Sequence, residues 1–102
     1  MTYKMFIDDE RFPVDGDDSI ICRGMYGFKW ITDRYGFPYY ISFDHDLGDG
    51  PTGYDIAKYI VSCDLDGGVL PEDFSFYVHS QNPIGKANIE GLLMNYLEKG
   101  MT

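Results

Sequence analysis

The stretch Tyr3-Lys4-Met5-Phe6-Ile7-Asp8-Asp9-Glu10 decides how the rest of the chain is read. Its apolar run stops abruptly in three acids, as a buried strand does when it ends at a site. The same pattern returns three times. Ser19 to Cys22 forms a short strand that ends at Arg23, and Phe37 to Phe43 is aromatic and β-branched before it meets Asp44-His45-Asp46-Leu47-Gly48-Asp49-Gly50. Asp73 to His79 alternates, with Phe74, Phe76 and Val78 on one side and Ser75, Tyr77 and His79 on the other, and closes at His79-Ser80.

Helices fill the intervals. Met25, Phe28, Ile31 and Tyr35 recur at helical spacing until Gly36 and Pro38 stop the chain. Thr52 caps the next helix with Asp55 in the capping-box position, and Ile56, Tyr59, Ile60 and Cys63 supply its apolar face up to Asp66-Gly67-Gly68. Asn82 stands as an N-cap before Pro83, and Ile89, Leu92, Leu93, Tyr96 and Leu97 form the last stripe before Gly100. Strands alternating with helices predict an α/β domain with a mostly parallel sheet of about four strands, because parallel neighbours need a crossover. The Pro-, Gly- and Asp-rich stretch from Arg11 to Asp18 is short for a helical crossover, so the second strand is expected at an edge or after an irregular loop.

A chain of 102 residues makes one domain, and 44% apolar with 17% aromatic residues is enough for a core. Eight basic residues against seventeen acidic ones leave a net charge of −9, which disfavours general binding to nucleic acid or to an anionic membrane. A small phosphate ligand would need a local cation. No run approaches a membrane span, and Met1 to Glu10 lacks the pattern of a signal peptide, so a cytoplasmic location is expected. Cys22 and Cys63 lie in apolar segments without CxxC spacing, which predicts two buried free thiols.

In an open parallel sheet, ligands bind outside the carboxyl ends of the strands. Every predicted strand here ends in chemistry-bearing residues, so four segments converge on one edge. Asp8, Asp9 and Asp44 are the candidate metal ligands, since crowded carboxylates repel one another or recruit a hard divalent ion such as Mg²⁺ or Mn²⁺. The alternative is that these acids only cap loops. His45 and His79, with Asp46, are candidate catalytic groups because imidazole can move protons near neutral pH; a structural hydrogen-bonding role is the other reading. Arg23 can hold a phosphate or pair with the acidic rim. Ser80 and Asn82 suit phosphate or ribose, although Asn82 also suits a helix cap, and the start of the last helix offers free N–H groups to an anion. No P-loop, GxSxG or HExxH motif is present.

Taken together, Ile7-Asp8-Asp9-Glu10-Arg11, Arg23, Ser42-Phe43-Asp44-His45-Asp46-Leu47-Gly48, Thr52-Gly53-Tyr54-Asp55-Ile56-Ala57 and Val78-His79-Ser80-Gln81-Asn82-Pro83-Ile84-Gly85 with Asn88 resemble the cyclic-phosphate-processing receiver-like domain family. The resemblance implies a small receiver-like, flavodoxin-like three-layer sandwich with strand order 2-1-3-4, from which the sequence departs in offering no fifth receiver strand. By position, Asp8 and Asp9 match the acidic pair that binds magnesium in a receiver, Asp44 the phosphoacceptor and Ser80 the hydroxyl. The receiver's lysine has no counterpart, and histidines stand at 45 and 79. The resemblance implies a cyclic nucleotide or another cyclic phosphate as ligand. Three expectations follow: a metal-assisted hydrolase, a non-catalytic binding module, or a degenerate receiver that acts through protein contacts.

Overall fold

A computed structural model of the chain describes residues 2–100. Four strands, β1 (Lys4–Ile7), β2 (Ile20–Cys22), β3 (Tyr40–Phe43) and β4 (Ser75–Val78), form one parallel sheet in the order β2-β1-β3-β4. Three helices, α1 (Met25–Tyr35), α2 (Gly53–Gly67) and α3 (Pro83–Gly100), follow β2, β3 and β4. The receiver-like α/β fold, its strand order and the edge position of β2 are as the sequence predicts, and the described residues contain no fifth strand. The strands are shorter than expected at their amino ends. Pro38 has no N–H for the ladder, so β3 begins only at Tyr40. Residues 71–74 make a turn closed by Phe74 N–H to the Pro71 carbonyl, so β4 begins at Ser75.

Met5, Ile7, Ile41, Phe43 and Val78 point to one side of the sheet and meet Phe28 and Ile31 of α1, Ile56, Ala57 and Ile60 of α2, and Ile89 and Leu93 of α3. All three helices share that side. The reason is handedness: β2 to β3 and β3 to β4 advance in the same direction, and right-handed crossovers then place both connecting helices on one face. The other face carries Lys4, Phe6, Tyr40, Ser42 and Tyr77, all half-buried or exposed. Of the three layers expected, helices and sheet are built. The β1–β2 connection, broken by Pro13 and Gly16, adds no helix to the far side.

Packing adjusts the predicted stripes. On α1, Thr32 rather than Tyr35 completes the buried face; its hydroxyl donates to the Phe28 carbonyl at 2.9 Å, which makes burial affordable for a polar group. Tyr35, at the end of the helix, stays exposed. On α2, Ile56, Ala57 and Ile60 carry the core, which rotates Tyr59 and Cys63 to the flank. Cys22 is buried and free as expected, whereas Cys63 is free but only half-buried. Trp30 is half exposed, with the Arg34 guanidinium over its ring. Among the described residues no helix is long and apolar enough to cross a membrane.

The capping box of α2 forms as predicted. Thr52 Oγ1 accepts from the Asp55 N–H at 3.3 Å, and Asp55 Oδ2 accepts from the Thr52 N–H at 2.8 Å. This cap fixes where α2 leaves the carboxyl edge of the sheet. Thr52→Ala is expected to lower stability by about 1 kcal/mol in urea unfolding, with an unchanged dependence on denaturant because the fold is retained.

Candidate functional site

The parallel register puts Ile7 beside Cys22 on one side and Phe43 on the other, and Phe43 beside Val78. The next residue of each strand is Asp8, Arg23, Asp44 or His79. Their level is locked by the last rungs of the ladder, Asp8 N–H to the Cys22 carbonyl, Asp44 N–H to Ile7 and His79 N–H to Phe43, at 2.8–3.1 Å. Four side chains distant in sequence thus sit side by side on the carboxyl edge.

Asp8 is the centre of the arrangement and is only 1% exposed. Its Oδ1 accepts from the Glu10 and Arg11 N–H groups at 2.9 and 2.8 Å, a turn that folds the acidic segment back over the strand end. Oδ2 accepts from Arg11 Nε at 2.8 Å and faces His79 Nε2 at 3.1 Å. Burial pushes the Asp8 carboxyl up, but the Arg11 and Glu10 N–H groups, the His79 ring and the Arg11 charge together hold it below the ordinary carboxylate range. Asp8 is therefore ionised at neutral pH and can only accept. In a neutral ring, His79 then carries its proton on Nε2 and accepts from the Ser42 hydroxyl at Nδ1, 2.7 Å away. The ring also stacks on Phe6 with centroids 4.6 Å apart.

Asp9 and Asp44 complete the acidic group. One oxygen each of Asp8, Asp9 and Asp44 lies within 4.8 Å of the others, a spacing that a single hard cation can bridge. Arg11 Nη2 reaches Asp44 Oδ2 at 3.5 Å, so one guanidinium spans Asp8 and Asp44. A cleft of about 390 Å³ opens above them, lined by Asp8, Asp9, Glu10, Arg11, Asp44, Asp46, Gly48 and Gln81.

The sequence-derived candidates divide around this cleft. Asp8, Asp9, Asp44 and Asp46 line it, whereas His79 stands behind Asp8 and His45 behind Asp46. His45 Nδ1 lies 2.9 Å from Asp46 Oδ1, and this hydrogen bond, the main influence on Asp46, holds its carboxyl below the ordinary range. Arg23 does not line the cleft. Its Nη1 donates to the Asp8 and Arg11 carbonyls at 2.9 and 2.7 Å, and its guanidinium lies over Phe12, so it braces the β1–β2 connection. Ser80 Oγ accepts from the Asn82 N–H at 3.1 Å, and Asn82 Oδ1 accepts from the Gly85 N–H at 3.0 Å as an N-cap. Asn82 Nδ2 approaches both Asp46 oxygens, at 3.4 and 3.5 Å.

Arg11, Gln81, Ser42 and two glycines, Gly53 and Gly85, belong to the site without having been given a role from the sequence. Arg11 had a signal, being the one cation directly after three acids. Ser42 becomes visible only once strand register pairs it with Phe6 and Tyr77. Gly53 and Gly85 act through space: a Cβ on Gly53 would enter the Asp44 carbonyl, and one on Gly85 would enter the His45 ring. Both helices therefore start hard against the segment that carries Asp44 and His45.

Gly85→Ala is expected to displace the His45 ring. It should cost about 1–3 kcal/mol, as overpacking does, and shift the His45 imidazole resonances in NMR while leaving those of His79 in place. Unchanged His45 signals would show that the ring does not rest on α3.

A family model described as the cyclic-phosphate processing receiver domain matches residues 3–95. Comparison with curated proteins and with solved structures finds no match. The match takes in all four strands, the acidic cluster, both histidines and most of α3, and on it the chain belongs to the cyclic-phosphate processing receiver domain family.

Proposed function

We propose that the cleft binds a cyclic nucleotide or a related cyclic phosphate and opens its ring by hydrolysis, with a divalent cation held by Asp8, Asp9 and Asp44. The observation that carries this reading is the convergence of three carboxylate oxygens within 4.8 Å beneath a cleft that also presents a guanidinium. Family membership supports the substrate class. The volume, about 390 Å³, falls at the small end of the range of roughly 300–1,000 Å³ for ligand pockets and suits a small phosphate ester rather than a polymer.

The donor set fits the ion. Three carboxylates supply only hard oxygen ligands, and one monovalent guanidinium leaves their charge incompletely balanced. A bound Mg²⁺ or Mn²⁺ would polarise the phosphate oxygens and acidify a water molecule. Asp46, which lines the cleft, accepts the proton of the attacking water in this reading, supported by His45 at 2.9 Å from its carboxylate. The water oxygen forms the new bond to phosphorus, one ring P–O bond breaks, and the released oxygen takes a proton from solvent to give a monoester with a free hydroxyl. His79, with both ring nitrogens engaged by Asp8 and Ser42, positions the ligand carboxylate instead of meeting substrate.

That neither histidine lines the cleft favours a second reading, in which the same pocket captures the cyclic phosphate without turnover.

Incubation with a panel of 2′,3′- and 3′,5′-cyclic nucleotides, with and without Mg²⁺ or Mn²⁺, separates the two. Ring opening that depends on the metal and falls in Asp44→Asn by more than the roughly 10–100-fold typical of outer-sphere partners is the expected result. Retention of unconverted ligand would establish the binding module in place of the hydrolase. Absence of both binding and conversion with every member of the panel would overturn both readings.

A further inference from the structure

We infer that Arg11 is a built-in counter-cation: its guanidinium occupies the Asp8–Asp44 carboxylates until a divalent ion enters, and is then released to grip the phosphate of the ligand. The inference rests on the proposed metal site and goes beyond it by naming the residue that recognises the phosphate. It also makes metal entry and phosphate capture successive events.

The starting point is competition for the same atoms. Arg11 Nε is 2.8 Å from Asp8 Oδ2, and Nη2 is 3.5 Å from Asp44 Oδ2. Asp8 and Asp44 are almost fully buried, with side chains 1% and 9% exposed, so their charges need a partner. Asp8, Asp9 and Asp44 together carry three negative charges against the single positive charge of Arg11. A divalent ion that takes oxygens from this group has more charge to offer them, and it competes with the guanidinium for the same two carboxylates.

Where Arg11 goes next is set by its backbone. The Arg11 N–H donates to Asp8 Oδ1 at 2.8 Å, and the Arg11 carbonyl accepts from Arg23 Nη1 at 2.7 Å. The main chain at residue 11 is thus pinned from both sides. The side chain is held by the two carboxylates alone: it is 46% exposed and lies on the wall of the cleft. A released guanidinium stays at the mouth of the same cavity, and its planar fork matches two phosphate oxygens.

Two other cations are engaged elsewhere. Arg11 is the only basic residue among those lining the cleft. Arg23 holds the Asp8 and Arg11 carbonyls, and Lys86 Nζ lies 5.7 Å from the centre of the Tyr77 ring.

Opposite changes in two affinities test this. Mn²⁺ alone, titrated by electron paramagnetic resonance, is expected to bind Arg11→Gln at least about 5-fold more tightly than the wild type, because a competing charge-assisted contact is gone. Inorganic phosphate, titrated calorimetrically in saturating Mg²⁺, is expected to bind the variant about 10-fold more weakly. Arg11→Lys keeps the charge but not the fork, and should change both affinities in the same directions by smaller factors. It serves as the test if the glutamine variant loses its circular dichroism signature.

Equal or weaker Mn²⁺ binding by the folded variant would overturn the role of Arg11 and leave the metal site standing. So would tighter Mn²⁺ binding with unchanged phosphate affinity, which would remove phosphate capture. Failure of the wild type and both variants to bind Mn²⁺ would instead overturn the metal site on which the inference rests.

Discussion

A carboxylate that is 1% exposed must have its charge answered locally, and at Asp8 the answer shapes the whole carboxyl edge. One oxygen takes the Glu10 and Arg11 N–H groups and so folds the acidic segment over the end of β1. The other takes Arg11 Nε and His79 Nε2, which ties β1 to the loop beyond β4. Arg23 clamps the same turn through the Asp8 carbonyl from β2. Three strands are therefore connected through one residue, and the cleft is the space that remains above it.

This hub depends on the sheet being parallel. Parallel register brings all four carboxyl ends to one edge, and the three same-side helices hold that edge in place from below. α2 and α3 begin against Asp44 and His45 through glycines that leave no room for a side chain. The acidic rim is consequently not a loose surface cluster. Its residues are set by strand register, and their second contacts, Ser42 behind His79 and His45 behind Asp46, orient them further.

The fold was legible because each strand announces its end. Ile7 before Asp8, Phe43 before Asp44 and Val78 before His79 mark where an apolar run gives way to polar side chains, and the same boundaries name the site. The finer assignments were not legible in the same way. Arg23 and Asn82 carry suitable groups, but whether such a group faces a ligand or a backbone carbonyl is decided by three-dimensional neighbours. Arg23 found the Asp8 and Arg11 carbonyls, whereas Asn82, on the Gly85 N–H, took the N-cap role that the sequence also offered. Ser42 and Gly85 act across elements 37 and 40 residues apart in the chain, on His79 and His45, and no local pattern encodes that. Similarly, the missing far layer of the sandwich follows from crossover handedness once the strand order is known, not from the helical stripes themselves.

In the proposed function Asp8, Asp9 and Asp44 form the place where a divalent cation settles. The most direct measurement is paramagnetic broadening of amide signals in a ¹⁵N-correlated NMR spectrum as substoichiometric Mn²⁺ is added. The amides of Asp9, Asp44 and Gly48 are expected to lose intensity first while those of Leu93 and Lys58 persist. Broadening that begins instead at the acidic pairs Asp17–Asp18 or Asp64–Asp66, or that spreads evenly over the chain, would contradict this placement.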